Sequence, residues 1–264
     1  MVTITQDSPG HWSARRDDTV LCRAAVMTRP DGRRWFIPEG FVPDAYLPLL
    51  AAIPGELYVH VEDAEQDADS IRQQLHAGGF VVHRRENNFL IPTDPARTGL
   101  ADTPTLAGVS FVNAADADTD RLRHLDDTLR QNVPGTDGWR WEPDDFRAQT
   151  FGPDFDPATY LIAACDSTGE YLGLARVWWP EEGPRLGLIG VVAAHRRAGV
   201  AKALLARVFA VVHDRGRSHV SAEADVTNTA SITLLTALGG RRVGGSLELI
   251  RRDPPPEGDA GRPQ

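Results

Sequence analysis

Apolar and polar positions follow strand-like and helix-like spacings in turn through the second half of the chain. Short apolar runs bounded by turn residues predict strands, and apolar positions three or four apart predict amphipathic helices. Leu122, Leu125 and Leu129 thus share one face of a predicted helix over 116–131. The other predicted helices are 142–151, 200–213 and 229–238, and the predicted strands are 108–113, 160–164, 171–178, 186–193, 219–226 and 242–250. Such an order predicts an α/β (α+β) fold, a mixed sheet flanked by helices.

The first part of the chain has a weaker pattern. Trp35-Phe36 and 57–61 predict strands, and 68–76 predicts a helix that ends at Gly78-Gly79. The polar, proline-containing stretch 92–104 predicts a linker. We therefore expect a smaller α/β domain over 1–95, a larger domain over 105–252 and a disordered, proline-rich tail over 253–264.

An ungapped shift of 161 positions aligns the two parts of the chain, with six identities over 21 positions. The shift places Glu62, Ser70, Ile71, Gly78, Gly79 and Val82 on Glu223, Ser231, Ile232, Gly239, Gly240 and Val243. It predicts that 1–95 is a divergent copy of the same unit. Because helices that end in glycine are common, chance similarity is the alternative. A degenerate copy would be structural or help to shape a substrate pocket.

Composition excludes several classes of protein. The 264 residues carry a formal charge of −9, which argues against non-specific nucleic-acid binding and is compatible with a cationic substrate or simply with a hydrated acidic surface. Only Cys22 and Cys165 occur, which predicts reduced thiols. No apolar run approaches the roughly 20 residues that span a bilayer, and the N-terminus lacks the regions of a signal peptide. We expect a cytoplasmic protein that binds neither nucleic acid nor membrane.

The segment 188–202 has the most specific chemistry: an apolar strand, a basic turn with a glycine, and an apolar helix. This order leaves backbone N–H groups and the positive end of a helix dipole available to a phosphate. The hexapeptide over 196–201 has the form Arg/Gln-x-x-Gly-x-Gly/Ala. In this setting it resembles the pyrophosphate-binding loop of the GNAT acyl-CoA-dependent N-acetyltransferases. The order of elements is similar to the mostly antiparallel GNAT sheet from about residue 106 to 251.

The resemblance implies that acetyl-CoA is the co-substrate and that no metal takes part. It assigns the loop amides to the CoA pyrophosphate and the end of the preceding strand to the pantetheine arm and thioester carbonyl. Asn228 matches the family's Asn-x-x-Ala/Ser-x-x-Leu segment and would contact the CoA arm, although a helix N-cap is its simpler role. The implied cofactor-binding residues are Ile189, Gly190, Val191, Arg196, Arg197, Ala198, Gly199, Val200, Ala201, Lys202 and Asn228.

Glu223 is the candidate general base. It lies five residues before Asn228, where ribosomal-protein alanine N-acetyltransferases of this fold carry a catalytic glutamate. Ser221, Glu223 and Asp225 alternate with apolar residues, so they share one strand face, which is either functional or simply hydrated. Another frequent base position of the family falls on Arg185.

The general acid is not evident from the sequence. The position seven residues after the family's asparagine, where a tyrosine is frequent, is Leu235. The family's Gly-Phe after the helix is also replaced, by Gly239-Gly240. Water, Tyr160 or Tyr171 would then have to protonate the leaving thiolate.

Aromatic and acidic residues cluster in sequence before the predicted cofactor strand. Carboxylates and indole faces attract ammonium groups, which predicts a cationic amine acceptor, whereas a buried core is the alternative for the tryptophans. The eight histidines show no metal-binding spacing. The acceptor candidates are Trp139, Trp141, Asp144, Asp145, Asp154, Asp156, Trp178, Trp179, Glu181 and Glu182.

The leading functional hypothesis is direct transfer of an acetyl group from acetyl-CoA to a primary amine of a small molecule or peptide. A non-catalytic acyl-CoA-binding or sensing module of the same fold is the first alternative. The second is a two-unit architecture that resembles mycothiol synthase, whose acceptor is a thiol-bearing pseudo-disaccharide.

Overall fold

The computed structural model describes residues 1–136 and 138–252. These residues form two compact units, the first consisting of Met1–Arg85 with the chain from Ser246 onward, and the second of Glu86–Gly245. The predicted tail over 253–264 lies outside the described residues. The predicted domains 1–95 and 105–252 stay a prediction.

The described residues contain twelve strands and seven α-helices. The strands are β1 (Val2–Ser8), β2 (His11–Arg16), β3 (Thr19–Thr28), β4 (Arg34–Glu39), β5 (Leu57–Glu62), β6 (Val81–Pro92), β7 (Val109–Asn113), β8 (Tyr160–Cys165), β9 (Tyr171–Trp178), β10 (Arg185–Val191), β11 (His219–Asp225) and β12 (Arg241–Arg251). The helices are α1 (Pro43–Ala52), α2 (Ala68–Ala77), α3 (Pro95–Thr98), α4 (Thr119–Arg130), α5 (Pro143–Thr150), α6 (Val200–Asp214) and α7 (Thr229–Ala237). The predicted mixed, mostly antiparallel sheet flanked by helices is confirmed.

Unit 1 begins with an antiparallel meander of β1 to β4. Strand β5 runs parallel to β4 and pairs with it at one position, Trp35 with Tyr58. The part of β12 from Ser246 to Arg251 then pairs antiparallel with β5. Helices α1 and α2 bury Tyr46, Leu49 and Leu75, among others, in the core of this unit.

Unit 2 repeats this order of strands. Strands β7 to β10 form an antiparallel meander, and β11 runs parallel to β10 with one pairing position, Arg185 with Ser221. The part of β6 from Glu86 to Pro92 pairs antiparallel with β11. Since the 161-residue shift also places the start of α2 on the start of α7, the predicted repeat is confirmed at the level of elements.

Helices cover both faces of the sheet in unit 2. Ala163 of β8 packs in one core cluster with α6 and α7, whereas its neighbour Ile162 packs in another with α4 and α5. Successive strand residues point to opposite faces, so the two clusters lie on opposite sides of the sheet. Helices α4 and α5 therefore lie on one side of the sheet of unit 2. The loop before α6 follows the end of β10.

The expectation for the first part of the chain was incomplete, because β1 to β3, α1 and β6 lack a clear apolar period. Helix α1 contains Pro43 and Pro48, and β6 is mostly polar in its first half. Helix α4 begins at Thr119 rather than residue 116, since the side chain of Asp118 caps it by accepting from the Arg121 amide at 2.9 Å.

The predicted linker over 92–104 is wrong. Pro92 ends strand β6, the buried Thr93 hydroxyl donates to the carbonyl of Arg217, and Leu100 is part of the unit 2 core. Asp94 caps α3 by accepting from the Ala96 amide at 2.9 Å. Polar side chains that looked like a solvated linker therefore make turn and cap hydrogen bonds in a packed segment.

Candidate functional site

The loop from β10 to α6 has the geometry of an anion cradle. Gly199 precedes the first turn of α6 with φ 83°, and no side chain caps this helix. Arg197 is also left-handed, with φ 62°, a conformation that costs a non-glycine residue about 1–2 kcal/mol. Arg196 holds the loop closed, since its Nε donates to the Val191 carbonyl at 3.1 Å. Backbone strain of this kind is typical of ligand-binding loops.

The uncapped start of α6 leaves backbone donors without helical partners. The first N–H groups of a helix have no acceptor within it, and the helix dipole is positive at this end. The first turn of α6 contains no acidic residue and includes Lys202. These features together favour a phosphate-bearing ligand.

Strands β10 and β11 separate directly in front of this loop. They pair only at Arg185 and Ser221, whereas β10 continues to Val191 in register with β9. The edge of β10 that faces away from β9 is therefore open along residues 186–191. Free strand amides at such an opening can bind an extended ligand arm or a developing oxyanion.

A cavity of about 430 Å³ joins the loop, the open edge of β10 and the start of α7. It is lined by all of the predicted cofactor-binding residues except Ala198. Residues that the sequence did not indicate also line it, because α4 brings its last turn and the chain that follows against β10. These are Leu129, Asn132 and Val133, whereas the other lining residues, His195, Ala230, Ser231 and Leu234, belong to the predicted loop and to the segment that begins at Asn228.

Asn228 caps a helix and also lines the first cavity. Its side chain accepts from the Ser231 amide at 3.1 Å and so caps α7. The residue also lines the cavity. The cap fixes the direction of the side chain.

Glu223 makes an ion pair. The Nε of Arg185 donates to both carboxylate oxygens at 3.0 Å, and the terminal Nη2 donates as well. Arg185 and Glu223 thus bridge β10 and β11 near their single pairing position. Oε2 accepts two of these hydrogen bonds and Oε1 only one, so the ion pair orients Glu223 and still leaves a lone pair on Oε1 to accept a proton.

The two tyrosines considered as general acids lie outside the 430 Å³ cavity. Tyr160 is buried, and burial raises its pKa to about 12. The hydroxyl of Tyr171 accepts from the Asp118 amide at 3.1 Å, at the start of α4. Leu235, at the family's usual tyrosine position, is buried in the core. None of the described residues that line this cavity is a tyrosine.

A second cavity, of about 690 Å³, lies between the α4–α5 connection and the ends of β9 and β10. Half of the predicted acceptor residues line it. Asp156 instead pairs with Arg215, and the indole N–H of Trp179 donates to Thr159. The predicted residues that line it are Trp139, Trp141, Asp154, Trp178 and Glu182.

The wall of this second cavity is held by Asp126, which is 0% exposed. Asp126 accepts from Arg130, from Arg176 at 3.0 Å and from the indole N–H of Trp141 at 3.0 Å. Burial alone raises the pKa of Asp126, but Arg176 and Arg130 outweigh it and hold the pKa below its ordinary value. Asp126 and Arg130 are four residues apart on α4, but no spacing along the chain indicated the contacts with Arg176 and Trp141, which come from other segments of the chain.

Within the described residues, no three histidine, cysteine, aspartate or glutamate side chains are grouped to hold a metal ion. No helix in the described ranges has the length and apolar character needed to cross a membrane.

The fold and the first cavity define an α/β domain in which an uncapped helix start lies beside an opened sheet edge. Residues 122–239 match the Acetyltransferase (GNAT) family model. This part of the chain belongs to the GNAT acetyltransferase family.

Individual known proteins are also similar to this chain. A mycothiol acetyltransferase from Salinispora arenicola is 33% identical over an alignment of 138 residues that covers 44% of this chain and 45% of that protein. This chain thus matches less than half of the length of that relative. A tandem GNAT protein from the clavulanic acid biosynthesis pathway has a TM-score of 0.66 at 14% identity, over 97% of this chain and 85% of that one. A GCN5-related N-acetyltransferase from Sphaerobacter thermophilus has a TM-score of 0.64 at 15% identity, over 95% and 83%.

Proposed function

We propose that this protein is an N-acetyltransferase that transfers an acetyl group from acetyl-CoA to a primary amine of a small molecule or peptide. The observation that carries the proposal is the 430 Å³ cavity, which combines an uncapped helix start with the open edge of β10. Acetyl-CoA has a pyrophosphate for the helix start and an extended arm for the strand edge. Membership of residues 122–239 in the GNAT family supports this assignment.

In this proposal, different residues of the chain bind different parts of acetyl-CoA. The amides from Arg197 to Lys202 hold the pyrophosphate, assisted by the charges of Arg196, Arg197 and Lys202. The backbone of Ile189, Gly190 and Val191 orients the arm and the thioester carbonyl. One backbone donor that is aimed at a developing oxyanion contributes about 3–4 kcal/mol in favourable cases. Asn228 contacts the arm.

The acceptor amine enters from the 690 Å³ cavity. Leu129 and Arg130, neighbours at the end of α4, line the first and second cavities respectively. Both cavities therefore border the same turn of α4. Holding both reactants there supplies much of the rate enhancement through proximity.

Glu223 is our candidate for the base that removes the proton of the attacking ammonium group, and water is our candidate for protonating the leaving thiolate. Replacement by Glu223→Gln should lower kcat/KM about 100-fold or more and flatten its rise with pH, because a positioned base contributes roughly 10²–10⁴-fold. Arg185→Gln breaks the same ion pair but keeps the carboxylate, so its kcat/KM should still rise with pH. A pH profile of Glu223→Gln that matches the parent would remove Glu223 from this role.

The function is tested by CoA release, corrected for hydrolysis, with a panel of amines. The panel should contain peptide N-termini, lysine, polyamines, aminoglycosides and a thiol-bearing pseudo-disaccharide amine. We expect amine-dependent CoA release with at least one class. Binding of acetyl-CoA with no release across the panel would favour the non-catalytic acyl-CoA-binding module instead.

We further propose that the protein acts in the cytoplasm without nucleic-acid or membrane partners. Cys22 and Cys165 are both free thiols, which fits a reducing compartment. The net charge of −9 disfavours binding to nucleic acid.

A further inference from the structure

The 690 Å³ cavity is lined by more guanidinium groups than its buried carboxylates neutralise. Arg130, Arg176 and Arg185 line it. The Arg185 charge is balanced by Glu223. The other two guanidiniums share the single carboxylate of Asp126. Among the described residues, three guanidiniums are thus paired with two carboxylates, which leaves one positive charge unbalanced.

Arg130 is the more accessible of these two guanidiniums, with 13% of its side chain exposed against 4% for Arg176. Within the described residues its side chain donates only through Nε, to Asp126, so the N–H groups of Nη1 and Nη2 have no acceptor. Its guanidinium carbon lies 4.7 Å from the Trp139 ring centre and 5.8 Å from that of Trp141. Burial lowers the pKa of Arg130 below its ordinary value, and Asp126 offsets this only in part.

The indoles that support Arg130 are themselves fixed. The Trp141 amide donates to Asp127 at 3.1 Å, and its indole N–H donates to Asp126 at 3.0 Å. The side chain of Gln131 donates to the Trp139 carbonyl at 2.9 Å. Arg130 is thus held as a rigid fork before any ligand binds, which suits two-point recognition of a planar oxyanion.

The remaining carboxylates of this cavity do not neutralise Arg130. Asp154 and Glu182 line the cavity, but both are exposed, and neither accepts a hydrogen bond from Arg130 in the described part of the chain. Exposed carboxylates are hydrated and suit an ammonium group. The cavity therefore offers opposite charges to a ligand that contains both an amine and an oxyanion.

Arg130 also lies close to the strand where transfer would occur. A Cβ atom on Gly190 would lie 3.0 Å from the side chain of Leu129, so the last turn of α4 rests directly on β10. Arg130 is the next residue in that turn. Arg130 therefore belongs to the helical turn that rests on the strand that we assign to the thioester.

We infer that Arg130 recognises a carboxylate, or a similar planar oxyanion, on the acceptor, so that the acceptor is an amine that also carries an anionic group. This inference rests on the proposed function, which makes this cavity the acceptor site. Arg130 is then a specificity-determining residue. The acceptor class narrows from cationic amines to zwitterionic ones.

The inference is tested by titration followed through tryptophan fluorescence, since Trp139, Trp141 and Trp178 line the cavity. Two matched pairs of probes serve: phenethylamine with L-phenylalanine, and benzylamine with 4-(aminomethyl)benzoate. We expect the carboxylate member of each pair to bind about tenfold more tightly or better, as a charge-assisted contact predicts. Equal binding within both pairs, or tighter binding of the simple amines, would overturn the inference.

Arg130→Gln should remove the preference within each pair, while Arg130→Lys, which keeps the charge but loses the fork, should retain part of it. Arg147→Gln is the matched control, since Arg147 is an exposed arginine of α5 outside the cavity lining. A preference that survives in folded Arg130→Gln would also overturn the inference. The comparison of probe pairs on the parent protein stands even where a variant fails to fold.

The fluorescence titration needs neither acetyl-CoA nor turnover, so its outcome is separate from that of the proposed function. A carboxylate preference that depends on Arg130, without CoA release for any amine, would support this inference and reject the acetyltransferase. CoA release with simple amines and no carboxylate preference would do the reverse.

Discussion

Gly199→Asp should weaken the binding of acetyl-CoA about 100-fold. At a ligand concentration of 100 times the Kd, bound acetyl-CoA stabilises the parent by about 2.7 kcal/mol. An aspartate at the start of α6 adds a negative charge where the pyrophosphate would approach the uncapped amides, so we expect a Kd about 100-fold higher. The gain from the same ligand concentration would then fall to roughly 0.4 kcal/mol. Differential scanning fluorimetry with and without acetyl-CoA measures the stabilisation of the parent and of the variant.

Gly216→Asp is the matched control for this substitution. Gly216 follows α6 at its other end and has a similar left-handed φ of 76°, and a Cβ atom added there would have no neighbouring atom within 4 Å. The two variants therefore share the backbone cost of about 1–2 kcal/mol, and only Gly199→Asp should lose the response to acetyl-CoA. Equal responses of Gly199→Asp and the parent, or a parent with no response at all, would contradict the assignment of this cavity.

Asp126→Asn should destabilise the protein by about 3 kcal/mol or more. The substitution leaves Arg130 and Arg176 without a carboxylate, and Arg176 is only 3% exposed. Removing one partner of a buried ion pair typically costs about 3–5 kcal/mol. Since 1 kcal/mol shifts the Tm of a protein of this size by roughly 2–4 °C, we expect a drop of about 6 °C or more. Asp120→Asn, on the exposed side of the same helix, should shift the Tm by much less.

The same carboxylate should make stability depend on pH. The pKa of Asp126 is lower in the folded protein than its ordinary value of about 3.9, because Arg176 and Arg130 outweigh the effect of burial. Its contribution is therefore present above about pH 4 and is lost as the pH falls through the folded pKa. The difference in unfolding free energy between the parent and Asp126→Asn, from urea titrations, should shrink below pH 4. A difference that is constant down to pH 3 would show that Asp126 does not titrate with unfolding.

The cofactor side of the candidate site was predictable because it is local in sequence. The strand, the loop and the first turn of α6 form one continuous segment, and Asn228 lies in a second short motif. For the acceptor side, the sequence indicated only a group of tryptophans and acidic residues, and not how they are arranged. Asp126, Arg130, Arg176 and Arg185 meet through the packing of α4 on β9 and β10, and no spacing along the chain encodes that meeting.

The fold was likewise predictable from the sequence in some parts and not in others. Elements of unit 2 from β7 to α7 were predicted to within a few residues, since their apolar periods are regular. Unit 1 was mostly missed, because β1 lies largely exposed and α1 begins and continues with prolines. The repeat of 161 residues was visible through Gly78 and Gly79, which end α2 and correspond to the glycines that follow α7.

The position of strand β12 in the sequence determines when unit 1 can complete its fold during translation. Unit 1 contains the first 85 residues, yet the strand that pairs with β5 comes from the chain beyond Ser246. The unit translated first must therefore wait for the last strand to emerge. Throughout that interval the apolar β5 presents an unpaired edge, and such edges promote association between nascent chains. A fragment that ends at residue 95 would keep that edge permanently, so the amino-terminal half is expected to aggregate when it is produced alone.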